Sequence, residues 1–270
     1  LPLSRARHSN TEVAYDSARR LYVHGTPLFP IGLHRVTNAA DLPTVRDAGF
    51  NFVITPSRSS SYAYVDAVRA AGLLMLLASS TLESKFWENM VDKYHTHQGF
   101  MGYYGLETPD VAGATAQLLS EVYIRAADKA FPAIAQMDAH HPVVLLLRPN
   151  TTLPDYAAAC DIVLVQCDPV PRWPLTAVAE AVEQAIAAVK GRKPVWAAIQ
   201  SVGLAWQEGS RRDAHTTGRP PTPAEHRAMT FLALIAGADG LVDYSWSLPF
   251  MAGIPSYSLP RDAPELWEGI

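Results

Sequence analysis

Three stretches of the sequence bring an acid to the place where an apolar run gives way to a polar one. GFMGYYGLETPD (99–110) runs onto Glu107, CDIVLVQCDP (160–169) passes through Gln166 to Asp168, and the polar stretch QEGSRRDAH (207–215) carries Glu208. In a parallel α/β protein the carboxyl ends of the strands are where ligands meet side chains. Two carboxyls brought together there can do general acid/base work, one of them held protonated. Glu107 is then a candidate general acid, and Asp168 or Glu208 a candidate base or nucleophile. Each has a plainer reading as well: Glu107 as a helix-capping acid, Asp168 as a turn former before Pro169, Glu208 as a solvated loop residue. A fourth acid, Asp243, alternates with Val242 and Tyr244 and is expected to point into a barrel and be paired there.

Aromatic and polar groups fall close to these acids in the sequence. His34 ends one apolar run, Tyr104 lies on the run that reaches Glu107, and Gln166 and Gln200 end two others. Trp206 follows Gln200, Trp173 follows Asp168, and Tyr244 and Trp246 belong to the last run. Rigid aromatic faces suit the C–H faces of sugars while their polar ends reach water; ordinary core packing is the competing account of the tyrosines. His34 is either a hydrogen-bond partner for substrate or a structural histidine. A metal site is not expected, because there is no CxxC or HExxH and the pairs His95/His97 and His140/His141 read as solvated helix ends. No cofactor is called for either. Cys160 and Cys167 flank DIVLVQ; as a strand that run separates them by about 23 Å, far beyond disulfide reach, so both are expected as free thiols.

These residues have to be positioned by a regular framework, and the chain supplies one. Eight short runs rich in Val, Ile and Leu recur at 28–34, 51–55, 73–79, 100–106, 142–148, 161–166, 194–200 and 240–246. Between them lie stretches of helical period at 42–49, 62–72, 85–95, 112–138, 175–191 and 222–238. Continuous apolar strands, rather than alternating ones, mean a sheet covered on both faces, and eight βα units in this length make a (β/α)8 TIM barrel. A doubly wound open sheet is the runner-up, but no GxGxxG or P-loop follows any run. Asp41 and Thr222 stand at N-cap positions, Thr222 with Glu225 forming a capping box, and Gly49, Gly72, Gly191 and Gly237 sit where helices stop. Upstream, RLYVHGTPLF reads as a β-hairpin turning at His24-Gly25 and closing the barrel bottom. Residues 1–19 are a lead-in and 20–270 a single barrel.

RLYVHGTPLFPIGLHRV, GFNFVITP, MGYYGLETPD, CDIVLVQCDPVPRWP, GRKPVWAAIQSVG, PTPAEHRAMTFLALIAGADG and YSW, in this order, resemble the glycoside hydrolase barrels of the clan A type. The likeness is greatest to a sugar-processing branch whose fourth strand ends G-W-Y-x-x-D-E-P, whose sixth reads V-D-x-Y-P and whose seventh ends in Gln. It implies a TIM barrel acting on carbohydrate, and by resemblance alone an extracellular, periplasmic or cell-surface location. The departures fall where that chemistry would be. Glu107-Thr108-Pro109 stands against D-E-P, so Thr108 occupies the usual acid/base position; Gln166 and Asp168 replace an Asp and a Tyr; Gln200 stands where nucleophile-bearing relatives carry Glu.

At 270 residues, 49% hydrophobic and 18% charged, with a formal net charge of −4, the chain is globular and has no electrostatic footprint for nucleic acid. No apolar run reaches the roughly 18 residues of a membrane span, and the N-terminus lacks the apolar core of a signal peptide. The first residue is Leu1, which suggests a mature product or an excised fragment. APELWEGI (263–270) starts an eighth outer helix with Pro264 in its first turn but stops after about two turns, short of the usual three. The seam between the eighth and first strands is therefore expected to be covered by further domains of a longer polypeptide, by TEVAYDSARRL (11–21), or by a neighbouring chain. Two functions follow: a glycosidase using Glu107 with Asp168 or Glu208, or a catalytically silent barrel that binds carbohydrate or serves as a scaffold module in a larger assembly.

Overall fold

A computed structural model describes residues 12–79, 83–107, 134, 136–150, 152–203, 218–249 and 256–270, with backbone alone at Ser84, Leu106 and Glu107. The chain begins with a three-stranded antiparallel sheet of β1 (Val13–Tyr15), β2 (Leu21–Val23) and β3 (Thr26–Leu28). His24 and Gly25 join β2 to β3 with φ of +51° and +78°, the two left-handed residues that a tight hairpin turn of matching twist requires. A closed barrel of eight parallel strands follows in chain order: β4 (Ile31–His34), β5 (Phe52–Pro56), β6 (Leu74–Ala78), β7 (Phe100–Glu107), β8 (Val143–Leu147), β9 (Ile162–Gln166), β10 (Val195–Gln200) and β11 (Gly240–Tyr244). β11 pairs with β4 to close it. All eight apolar runs of the sequence are barrel strands, so the fold is the (β/α)8 barrel expected.

The strands are apolar on both faces because both faces are buried. Phe52, Ile54, Leu76, Leu164, Trp196 and Val242 fill the lumen, while Leu33, Val53, Met75, Val163, Val195 and Leu241 pack outward among the helices. Gly32 is required by this filling: a Cβ there would stand 2.2 Å from Cζ of Phe52. Val13, Leu21 and Val23 join the lumen cluster from below. The Val13 N–H donates to His140 C=O just before β8, and the His24 ring bonds Gln98 C=O just before β7, so the hairpin seals the bottom as its sequence suggested.

Helices Leu42–Asp47, Tyr62–Ala70, Ser84–Tyr94, Ala177–Ala188 and Pro223–Ile235 fall on the expected helical stretches. Both halves of the Thr222/Glu225 capping box are formed. The helix expected over 112–138 lies outside the described residues except near its end. Sequence reasoning passed over the six-residue helix Leu153–Ala158, too short to show a period. Asp41 stands at the N-cap of the helix Leu42–Asp47 but does not cap: its carboxylate accepts the Trp246 indole N–H at 3.0 Å.

Two more expectations need correction. Residues 13–15 and 21 of TEVAYDSARRL belong to the bottom sheet rather than to the side of the barrel where β11 meets β4, and Arg19 meets the start of β11 at Asp239. That side is packed instead by short helices Leu259–Asp262 and Pro264–Gly269, whose Trp267 meets Trp246 edge-on at 5.0 Å and stacks with Phe50 at 6.3 Å. His141 is not a solvated helix end. It is buried, and its Nδ1 lies 2.8 Å from Asp138 Oδ2, which also accepts the Tyr103 hydroxyl at 2.7 Å; the His140 N–H donates to Oδ1. Burial alone would raise the Asp138 pKa, but the bonds from His141, Tyr103 and His140 outweigh it and hold the carboxyl below its ordinary 3.8.

Two outcomes follow for stability. Gly32→Ala should cost about 1–3 kcal/mol in urea denaturation by forcing Phe52 off its site, and the double variant with Phe52→Leu should lose less than the sum of the two single changes. Asp138→Asn should cost about 1–3 kcal/mol at pH 7. Because the folded pKa is depressed, the unfolded chain takes up the proton first as pH falls. The Asp138 contribution is thus intact well above pH 3.8 and drains away below it, so the gap between parent and variant should narrow there.

Candidate functional site

His34, Gln166, Gln200 and Tyr244 are the last residues of β4, β9, β10 and β11, so strand geometry alone gathers them at the carboxyl end of the barrel. The His34 ring, buried, stacks on Tyr244 with centroids 4.4 Å apart and planes 16° from parallel; Tyr104, in the lumen cluster, lies 5.8 Å from it. These three rings floor the mouth. Ser245, which the sequence analysis did not single out, fixes the histidine. Its Oγ is 3.1 Å from His34 Nδ1, 2.8 Å from Ser247 C=O and 3.2 Å from His34 C=O. A hydroxyl has one proton to donate, and the nearer carbonyl, Ser247, takes it; the Oγ lone pair then accepts an N–H from Nδ1. This pattern assigns the proton of the neutral ring to Nδ1.

Gln166 is buried, and Asp168, two residues beyond β9, is 5% exposed. Cys167 between them is half-buried, its thiol pushed up to about 12 by burial first and by the charge of Asp168 second, with Arg148 acting the other way. Arg148 follows β8 directly and is exposed, a cation at the mouth that the run PVVLLLR announces and that sequence reasoning overlooked. Gln200 is fully buried with its amide bonded to backbone: Oε1 accepts from Val170 N–H, and Nε2 donates to the carbonyls of Val170 and Val202, all at 2.9 Å. Expected at the substrate, it has both amide hydrogens spent on the protein.

Glu107 closes β7; its side chain, and Trp206 and Glu208 entirely, lie outside the described residues. The register of its backbone is informative. Tyr104 pairs with Val144 and Glu107 with Leu146, so three steps on β7 match two on β8 across a bulge. Val144 and Leu146 both face the lumen. The bulge therefore sets position 107 at the level of a lumen-facing residue, where an unbroken strand would have set 106.

Two expected residues turn away from the mouth. Trp246 packs in the outer layer against Trp267 and Asp41, because the chain has passed the end of β11 and is bonded back to His34 C=O. Asp243 does not point into the lumen. It lies between Val242 and Tyr244 on the opposite face, where its Oδ1 sits 2.5 Å from His226 Nε2 on the helix Pro223–Ile235 and 3.4 Å from Ser201 Oγ. It is paired, as expected, but with the helix layer. Trp173 is 59% exposed on the loop after β9.

Closed parallel strands with polar and aromatic side chains gathered at their carboxyl ends define a (β/α)8 barrel. Among solved structures the same barrel occurs in glycoside hydrolases. The GH2 β-galacturonidase of Eisenbergiella tayi bound to galacturonate superposes with a TM-score of 0.70 at 13% identity, over 96% of this chain and 52% of that one. A Bacteroides uniformis β-glucuronidase 2 gives 0.64 at 10% identity, over 87% of this chain and 32% of that one, and the β-galactosidase from the psychrophilic Marinomonas ef1 gives 0.63 at 10%, over 82% and 55%. The chain thus spans about a third to a half of the length of these enzymes. No protein-family model matches the sequence, and no curated protein matches it significantly. What the chain shares with these enzymes is the fold.

At a pH where the His34 ring is neutral, ¹⁵N NMR should find it as the Nδ1–H form. Ser245→Ala should admit the other tautomer, and a parent protein in the Nε2–H form would contradict the assignment.

Proposed function

We propose that the carboxyl-end mouth binds a carbohydrate and that the chain is the barrel of a glycoside hydrolase-like protein. The observation that carries this is the floor of His34, Tyr104 and Tyr244 at the strand ends. Tyr244, half-buried, presents its ring to the apolar side of a sugar, with buried His34 and Tyr104 packed behind it. Glu107 is the proposed general acid, supported by the bulge that sets its register. Asp168 is the proposed second carboxylate, with Glu208 the alternative from the loop after β10. His34, Tyr104, Gln166 and Tyr244 are proposed to contact the sugar, and Trp206 to flank it. Since two of the structural neighbours are a β-glucuronidase and a β-galacturonidase, Arg148 makes acidic sugars worth including among the ligands tried. The neighbours' greater length also suits the proposal that further domains accompany this barrel.

The second reading is a silent barrel that binds sugar without cleaving it. One observation favours it: Gln200 has no carboxylate to offer at the end of β10 and its amide is already engaged.

Titration calorimetry against neutral and acidic glycosides should find a ligand whose affinity falls about 5- to 30-fold in Tyr244→Ala, the loss of one stacking face of roughly 1–2 kcal/mol. Turnover assays on the same panel separate the readings. If hydrolysis occurs, Glu107→Gln should reduce it by about 10²-fold or more while binding survives. Binding with no turnover in the parent protein would select the silent barrel, and no binding by any glycoside would remove both.

A further inference from the structure

Gln200 does something at the barrel mouth that a sugar-binding glutamine would not. Its Oε1 accepts from Val170 N–H and its Nε2 donates to the C=O of that same residue, so the side-chain amide pairs with Val170 as a neighbouring strand would. The remaining Nε2 hydrogen goes to Val202 C=O. Gln200 and Val170 are both buried, so these bonds have no water to replace them. Val170 lies on the loop after β9, two residues past Asp168. Just beyond it the N–H groups of Arg172 and Trp173 both donate to Pro169 C=O at 2.7 Å, folding the loop into a tight turn.

We propose that Gln200 is a positioning residue: it clips the loop carrying Asp168 to the end of β10, and the same bonds make that strand end unfit for a carboxylate. An ionised Glu at this position has acceptors only. It would set oxygen against the carbonyls of Val170 and Val202 where the amide now donates, in a site closed to water. Restoring an acid at position 200 would therefore loosen the mouth instead of supplying a nucleophile, and a covalent intermediate on β10 is not open to this chain. The consequence for Asp168 rests on the functional reading above; the clip itself does not.

Cys167 provides a reporter on the clipped loop, next to Asp168, and buried Cys160 at the other end of β9 serves as an internal control for global opening. Under native conditions a water-soluble thiol reagent should label Cys167 at least tenfold faster in Gln200→Met and Gln200→Glu than in the parent, with Cys160 unchanged. The excess over the parent should shrink on acidification in Gln200→Glu, whose protonated carboxyl regains one donor, and not in Gln200→Met. Equal Cys167 labelling in parent and folded variants would overturn the proposal. If either variant fails to fold, hydrogen exchange on the parent decides: the Val170 amide should be protected, and exchange at the rate of a solvated loop would overturn it. No sugar enters these measurements, so a protein that binds none leaves the clip standing, and a free loop leaves the carbohydrate reading to its own test.

Discussion

The double burial of every barrel strand is the constraint on which the rest of the molecule depends. Once β11 pairs with β4, no strand edge is left among the eight, and alternate side chains are committed to a dry lumen or to the layer under the helices. The lumen is filled to contact, with the Phe52 ring lying on the bare Cα of Gly32 and 5.5 Å from Trp196. Trp196 is held there for volume at some expense, since its indole Nε1 is buried and has no hydrogen-bond partner among the described residues. Because the lower lumen is plugged by apolar residues of the barrel and hairpin, polar side chains of the strands can face inward only in the uppermost layer. That is why His34, Gln166, Gln200 and Tyr244 are all terminal residues of their strands.

Several buried or half-buried acids elsewhere are bonded within the protein and do structural work. Asp138 gathers Tyr103, His141 and the His140 backbone at the bottom, Asp243 ties β11 to the helix Pro223–Ile235 through His226, and Asp41 takes the Trp246 indole. Each is an acid with at least one partner on a different element of the chain. Lys193 does the same with carbonyls, collecting those of Ala157, Ala158 and Cys160 where the helix Leu153–Ala158 ends.

The barrel could be read from the sequence because its signal is one-dimensional: apolar runs such as DIVLVQ and PVWAAIQ are continuous, and the spacing between them leaves room for a helix. The hairpin was legible for the same reason, His24-Gly25 being a local turn signal. Side-chain direction at the strand ends was not legible. Trp246 and Tyr244 differ by two positions, yet one packs outward and the other stacks in the mouth, because the alternation of the strand ends at Tyr244 and the chain then follows its own bonds to His34 and Asp41. Gln200 looked like a substrate contact because the residue that uses its amide, Val170, is 30 positions away and carries no polar side chain to announce the pairing. Ser245 was passed over likewise, its partner His34 lying 211 residues away.

That last separation bears on how the protein assembles. His34 belongs to the first barrel strand and Tyr244 to the last, so the ring pair at the mouth straddles the joint where the two ends of the barrel meet. Ladders between consecutive strands close loops of a few tens of residues, whereas this one closes nearly the whole chain and pays the largest loop-closure entropy of the fold. The ring pair at the mouth therefore comes into being only with the final ladder, and an unclosed barrel has half of it. A ligand seated across the two rings would bind only the closed form and draw the folding equilibrium toward it. Occupancy of the mouth and completeness of the barrel are in this sense a single thermodynamic event.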